Sequence, residues 1–139
     1  MDQERKDRYL DKLKWIHDRS RFIDVWLGEL LDFQNNTDTK TVLAIFKAFQ
    51  EITESFMDCI AMYLRDNNIP PRDDYANIDR VELFSNDQKQ LLREMNSLRN
   101  RIIHRYNGTD EYLALTGISH SLSEIVSLTD TFQIWIENN

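Results

Sequence analysis

The sequence is short of the residues that make a chain turn. Its 139 positions hold only 3 glycines and 2 prolines, which argues against a turn-rich β fold. It has one cysteine, Cys59, so no intramolecular disulfide can form, and a single thiol suits a reducing compartment. The opening Met1-Asp2-Gln3-Glu4-Arg5-Lys6 lacks the apolar core of a signal peptide, and no apolar run approaches the length of a membrane span. The expected address is therefore cytoplasmic, with no membrane partner. Several chemistries are also missing. There is no glycine-rich phosphate loop and no dinucleotide fingerprint. The histidines at 17, 104 and 120 have no mutual metal-ligand spacing, so no metal and no cofactor is expected. No serine or cysteine has a base placed by spacing to activate it.

What remains fits one helical domain over 1–139. Apolar content is 41%, enough for a core at this length. Leu10, Leu13, Ile16, Ile23, Trp26, Leu27, Leu30 and Leu31 recur at three- and four-residue steps and predict a helix from about Glu4 to Phe33. Val42, Leu43, Phe46, Phe49, Ile52, Phe56, Ile60, Tyr63 and Leu64 predict a second, over about Thr39–Asn67, rich in phenylalanine and so the central one. Thr37 or Asp38 would cap it, and Ile69-Pro70-Pro71 would end it. The stretch from Arg72 to Phe84 reads as a long connection with a short turn near Asp79–Leu83. Connections this long often cover something or carry function. Ser85 and Gln88 form a capping box for a third helix, reaching Tyr106 with Leu91, Leu92, Met95, Leu98, Ile102 and Ile103 on its apolar side. Gly108 stops it. The fourth, capped by Thr109 or Asp110, carries Leu113, Ile118, Leu122, Ile125, Val126, Leu128, Phe132, Trp135 and Ile136. Gly117 inside it costs about 1 kcal/mol against alanine, so something should pack close there. His17 and His120 read as exposed, and Cys59 as a small core residue. The architecture is all-α, an antiparallel four-helix bundle.

Charge singles out one segment. The net charge is −7, which disfavours indiscriminate nucleic-acid binding. Yet 80–106 carries six basic side chains (Arg80, Lys89, Arg93, Arg99, Arg101, Arg105) against three acids, a local +3, while 107–139 has five acids and no Lys or Arg. That segment also holds the densest polar cluster, Arg99-Asn100-Arg101-Ile102-Ile103-His104-Arg105-Tyr106, at the end of the third helix. At 100° per residue Asn100 and His104 share a face, whereas Arg99 and His104 point roughly 140° apart. One copy of the helix does not focus both on one atom. Two copies around a twofold axis could.

Arg99-Asn100 followed by His104-x-Tyr106 resembles the R-x4-H-x-Y motif of HEPN domains, and of the HepT family of toxins among them. The Phe-rich second helix, the connector Ile69-Pro70-Pro71-Arg72-Asp73-Asp74-Tyr75 and the Arg99–Asp110 block carry the likeness over nearly the whole chain. One departure is Asn96-Ser97, where family members often have a glycine. The resemblance implies a homodimeric, metal-independent ribonuclease with Arg99, Asn100 and His104 at its centre, acting on an RNA such as tRNA or mRNA. It also implies an MntA-like nucleotidyltransferase antitoxin that silences the toxin by moving AMP onto Tyr106. The chemistry agrees. RNA cleavage without metal needs a base, an acid and a cation for the developing phosphorane charge. Histidine, with an unperturbed pKa of about 6.5, serves as either acid or base. Arginine offers a bidentate phosphate contact, and Arg101 and Arg105 would hold flanking phosphates. A non-catalytic HEPN module that binds a nucleotide, RNA or the nucleotidyltransferase, and a purely structural bundle, are the competing readings.

Overall fold

The computed structural model describes residues 1–30, 32–33, 38–104 and 110–139. Four long helices and one short one occur among them: α1 (Gln3–Glu29), α2 (Thr39–Asp66), α3 (Asp74–Asp79), α4 (Asn86–Ile103) and α5 (Glu111–Glu137). No strand occurs among the described residues, and none of these helices is long and apolar enough to cross a membrane.

Local chemistry explains the helix starts. Asp2, Asp38, Asp73, Ser85 and Asp110 each accept a backbone N–H of the first turn, which satisfies donors that the helix leaves without partners. At Ser85 the box is reciprocal: its hydroxyl accepts from the Gln88 N–H, and the Gln88 side chain accepts from the Ser85 N–H. The helix ends are set differently. α2 stops through Asn68, whose φ of 61° lets Ile69 N–H turn back to the Leu64 carbonyl at 2.8 Å. This left-handed cap precedes the two prolines. α1 ends at Glu29, four residues before the expected Phe33. Leu30 is already extended and turned into the core, so its side chain gains more from burial than from another helical turn.

α1 and α2 run antiparallel, tied by Arg5 to Asp66, Lys12 to Asp58 and Arg19 to Glu51. α5 returns along α1, with Tyr9 against Phe132 and Trp135, and α4 runs antiparallel to α5, with Gln88 reaching Thr131 at one end and Leu98 facing Gly117 further along. α2 is the core helix, with thirteen buried residues including Phe46, Phe49 and Phe56. Burying each phenylalanine is worth roughly 1.5–3 kcal/mol. Tyr9, absent from the predicted stripe, is fully buried because its hydroxyl finds Asp66 at 2.6 Å. In contrast, Leu43, Ile103, Leu113 and Val126 are exposed, although three- and four-residue spacing had put them on apolar faces.

The connector covers the core. Ile78, Val81 and Phe84 are buried, and Phe84 meets Phe132 edge-on. The Asn77 amide brackets Arg72, accepting its N–H at 2.6 Å and donating to its carbonyl at 3.0 Å, which holds the chain leaving Pro70-Pro71 in one path. The helical turn lies at Asp74–Asp79, just ahead of the expected place, because Asp73 caps it there.

Candidate active site

Arg99 is positioned by three elements. Its Nη2 donates to Asp74 Oδ2 of α3 at 3.0 Å and to Asn96 Oδ1 one turn back on α4 at 2.7 Å, and its Nη1 lies 3.4 Å from Glu54 Oε1 of α2. The side chain is only 14% exposed, and its Nε is buried with no hydrogen-bond partner. Arg99 therefore faces inward, between α2 and α3, with two carboxylates around one guanidinium. Asn96 is buried at 1% exposure, and Ser97 meets the Tyr75 hydroxyl at 2.8 Å. Of the two residues that depart from the expected glycine, Ser97 thus ties α4 to the connector and Asn96 holds Arg99.

His104 lies on the other side. It is the C-cap of α4, with φ −97° and ψ 60°, its N–H donating to the Asn100 carbonyl at 3.0 Å, and its side chain is exposed. Asn100, one turn before it, is half-buried, and Arg101 is exposed. Within one chain the fold brings Asn100, Arg101 and His104 to the end of α4 and turns Arg99 away toward α2 and α3. Arg105 and Tyr106 lie outside the described residues, as do the helix extension to Tyr106 and the Gly108 stop.

The basic segment is less free than its net charge suggested. Arg93 donates twice to Asp79 Oδ1, at 2.7 and 3.0 Å, and Lys89 donates to the Asp79 carbonyl. With Arg99 on Asp74, three cations of this segment are engaged by α3. The sequence reading missed Glu54, Asp74 and Asn96 as neighbours of Arg99. Asn96, three residues before Arg99 on a helix, was the one that spacing could have found. Among the described residues no group of three His, Cys, Asp or Glu side chains gathers as metal ligands would.

Comparison with known proteins places the chain in a family. The model of the family described as "Ribonuclease HepT-like" matches residues 16–132. Two proteins of Archaeoglobus fulgidus, each bearing the name "Putative RNase", are 28% identical to the chain: one over 127 residues, covering 89% of this chain and 87% of the relative, the other over 120 residues, covering 82% of each. A third, from Methanocaldococcus jannaschii and named in the same way, is 33% identical over 63 residues, 43% of this chain and 72% of its own length. No solved structure matches the chain significantly.

Proposed function

Because this chain belongs to the HepT-like ribonuclease family, we propose that it is the RNA-cutting toxin of a toxin–antitoxin pair, a metal-independent endoribonuclease whose centre is completed by a second copy of the chain. The observation that carries the reading is His104, exposed at the C-cap of α4 with Arg101 one turn behind it. A histidine there can reach a strand lying across the end of the bundle.

The chemistry follows from that placement. The imidazole of one His104 takes the proton of a ribose 2′-hydroxyl. The freed oxygen attacks the adjacent phosphorus, and the bond to the 5′-oxygen breaks. The departing oxygen takes a proton from the imidazolium of His104 of the partner subunit. The products are a 2′,3′-cyclic phosphate and a 5′-hydroxyl. Arg99 neutralises the charge that builds on the phosphorane oxygens. Arg99 and His104 point apart on one chain, and pairing around a twofold axis is the arrangement in which two copies would share them, with Arg99 leaving Asp74 to reach the phosphate. Asn100 orients the imidazole or the phosphate, and Arg101 and Arg105 hold flanking phosphates. AMP placed on Tyr106 by an MntA-like nucleotidyltransferase would put negative charge where the substrate phosphate must enter.

The test is RNA cleavage in EDTA by wild type and His104→Ala, with product ends mapped and intact mass checked for AMP. Cutting by wild type alone with a cyclic-phosphate end supports the reading. Equal cutting by His104→Ala, or no cutting by unmodified protein, sinks it. A second reading, a non-catalytic HEPN module that binds a nucleotide, RNA or the nucleotidyltransferase, is favoured by the two carboxylates and the amide that already occupy Arg99. It predicts RNA binding without turnover.

A further inference from the structure

The outer face of α4 carries a track with an aromatic end. Ser97, Arg101 and His104 stand at i, i+4 and i+7, so they share one face of the helix, with about 10 Å along the axis from the first to the last. Arg101 and His104 are exposed, and Ser97 is half-buried. α3 runs antiparallel to α4, with Asp79 at Arg93 and Asp74 at Arg99, so its first turn is the part nearest His104. Asp74 and Tyr75 are neighbours on that turn and diverge by about 100°. Asp74 reaches Arg99 on one flank of α4. Tyr75 reaches Ser97 on the other, the flank of Arg101 and His104.

The Tyr75 ring is fixed and open at once. Its hydroxyl lies 2.8 Å from Ser97 Oγ, and its backbone belongs to a turn capped by Asp73, yet the residue is 39% exposed. The ring is not what anchors α3. Ile78 is buried in the core, and Lys89, Arg93 and Arg99 bond to the same helix. A ring already locked in place meets a flat partner without losing further freedom. One turn before Ser97 the track changes character: Arg93 is closed by Asp79, and Glu94 is an exposed acid, so nothing there favours a phosphate. The order along this face is therefore imidazole, guanidinium, aromatic ring, acid. A single strand with its phosphates at His104 and Arg101 sets a base, not another phosphate, at Tyr75.

We propose that Tyr75 is a stacking platform for a base of the bound strand, next to the phosphate held by Arg101. Every base has a π face, so such a platform selects unpaired RNA and not a sequence. The place of this base relative to the cleaved bond rests on the ribonuclease reading. The stacking itself does not.

The experiment titrates a four-residue oligodeoxynucleotide carrying 2-aminopurine with the full chain. The strand lacks 2′-hydroxyls and is not cut by internal transfer, and stacking of 2-aminopurine on an aromatic ring quenches its fluorescence. Saturable quenching is expected. Tyr75→Ala should weaken binding about tenfold and remove the quenching. Tyr75→Phe keeps the ring and loses the hydroxyl, and Ser97→Ala breaks the same hydrogen bond from the other side, so both should stay within about twofold of wild type. If Tyr75 only ties α3 to α4, all three variants weaken binding alike, and the platform is overturned. Absence of quenching with wild type, or equal quenching by Tyr75→Ala, overturns it too. RNA cleavage measured in parallel separates the two ideas, the loss in Tyr75→Ala being expected in KM more than in kcat. Quenching that depends on Tyr75 without any cleavage would remove the ribonuclease and keep the platform, whereas cleavage with a KM indifferent to Tyr75 would remove the platform alone.

Discussion

Arg5 and Arg99 both dock on α2, and they are held in opposite ways. Arg5 meets one carboxylate. Its Nε lies 3.1 and 3.2 Å from the two Asp66 oxygens, Nη2 is 3.0 Å from Oδ1, and the guanidinium rests over the Tyr9 ring whose hydroxyl also donates to Asp66. Charges balance and the cluster is closed, and the hydrogen bond to Asp66 raises the Arg5 pKa further. Arg99 meets two carboxylates from two different elements and an amide, carries one net negative charge in its immediate set, and keeps a buried Nε without a partner. Of the two, Arg99 is the less fully satisfied, since a buried donor without a partner costs stability that the closed Arg5 cluster does not give up.

Conservative substitution separates the two most sharply. Arg99→Lys keeps the charge and loses the planar fork, and RNA cleavage should fall by about 100-fold or more. Arg5→Lys should leave cleavage unchanged and lower the unfolding midpoint only. Equal cleavage by both variants would erase the distinction. Next in size is Tyr9→Phe, which removes a donor to a carboxylate and should cost about 2 kcal/mol in urea unfolding. This tyrosine also has a pH signature. Burial, with Asp66 beside it, raises its pKa well above the ordinary value, and burial pushes the Cys59 thiol up to about 12. In both the folded state holds the proton more tightly, so their contributions are intact below the ordinary pKa values and are lost as pH rises. Wild type should lose stability progressively from about pH 9 upward, and Tyr9→Phe should show a shallower alkaline decline.

Smaller is Asp74→Asn. The aspartate is partly solvated, so its pair with Arg99 is discounted, and unfolding should shift by under about 1 kcal/mol. Cleavage, in contrast, should change measurably in KM or kcat, because Arg99 would reorient toward Glu54. The smallest response belongs to Cys59. Buried and held as the thiol, it should stay unreactive toward a disulfide reagent at pH 8 until the protein unfolds, whichever arginine is altered.

The helices were legible because periodicity reports a buried face whichever partner covers it. Ser85 and Gln88 announced their helix start, and the Phe-rich stripe announced the core. Tyr9 escaped because it lies among charged residues, and only the fold shows Asp66 waiting for its hydroxyl. Leu43 and Val126 misled because helical spacing does not say how far round the helix a neighbour extends. The expectation that something packs close to Gly117 was met by Leu98. At the site, the spacing rule separated Arg99 from His104, and the structure keeps them apart. That Arg99 turns inward onto Glu54 and Asp74 could not be read, because neither acid is near it in sequence and α3 gave no periodic signal at six residues. The place of Tyr106 and Arg105 lies outside the described residues.

The shortness of α3 has a dynamic consequence. A helix of six residues does not persist alone in water. This one is held by Ile78 in the core and by bonds from Lys89, Arg93, Ser97 and Arg99 of α4. Any fluctuation that frees α3 also releases Arg99 from Asp74, so local opening and exposure of the arginine are one event. The amide of Ile78 becomes a clock for that event, its hydrogen-exchange rate measuring how often Arg99 loses one of its two carboxylates.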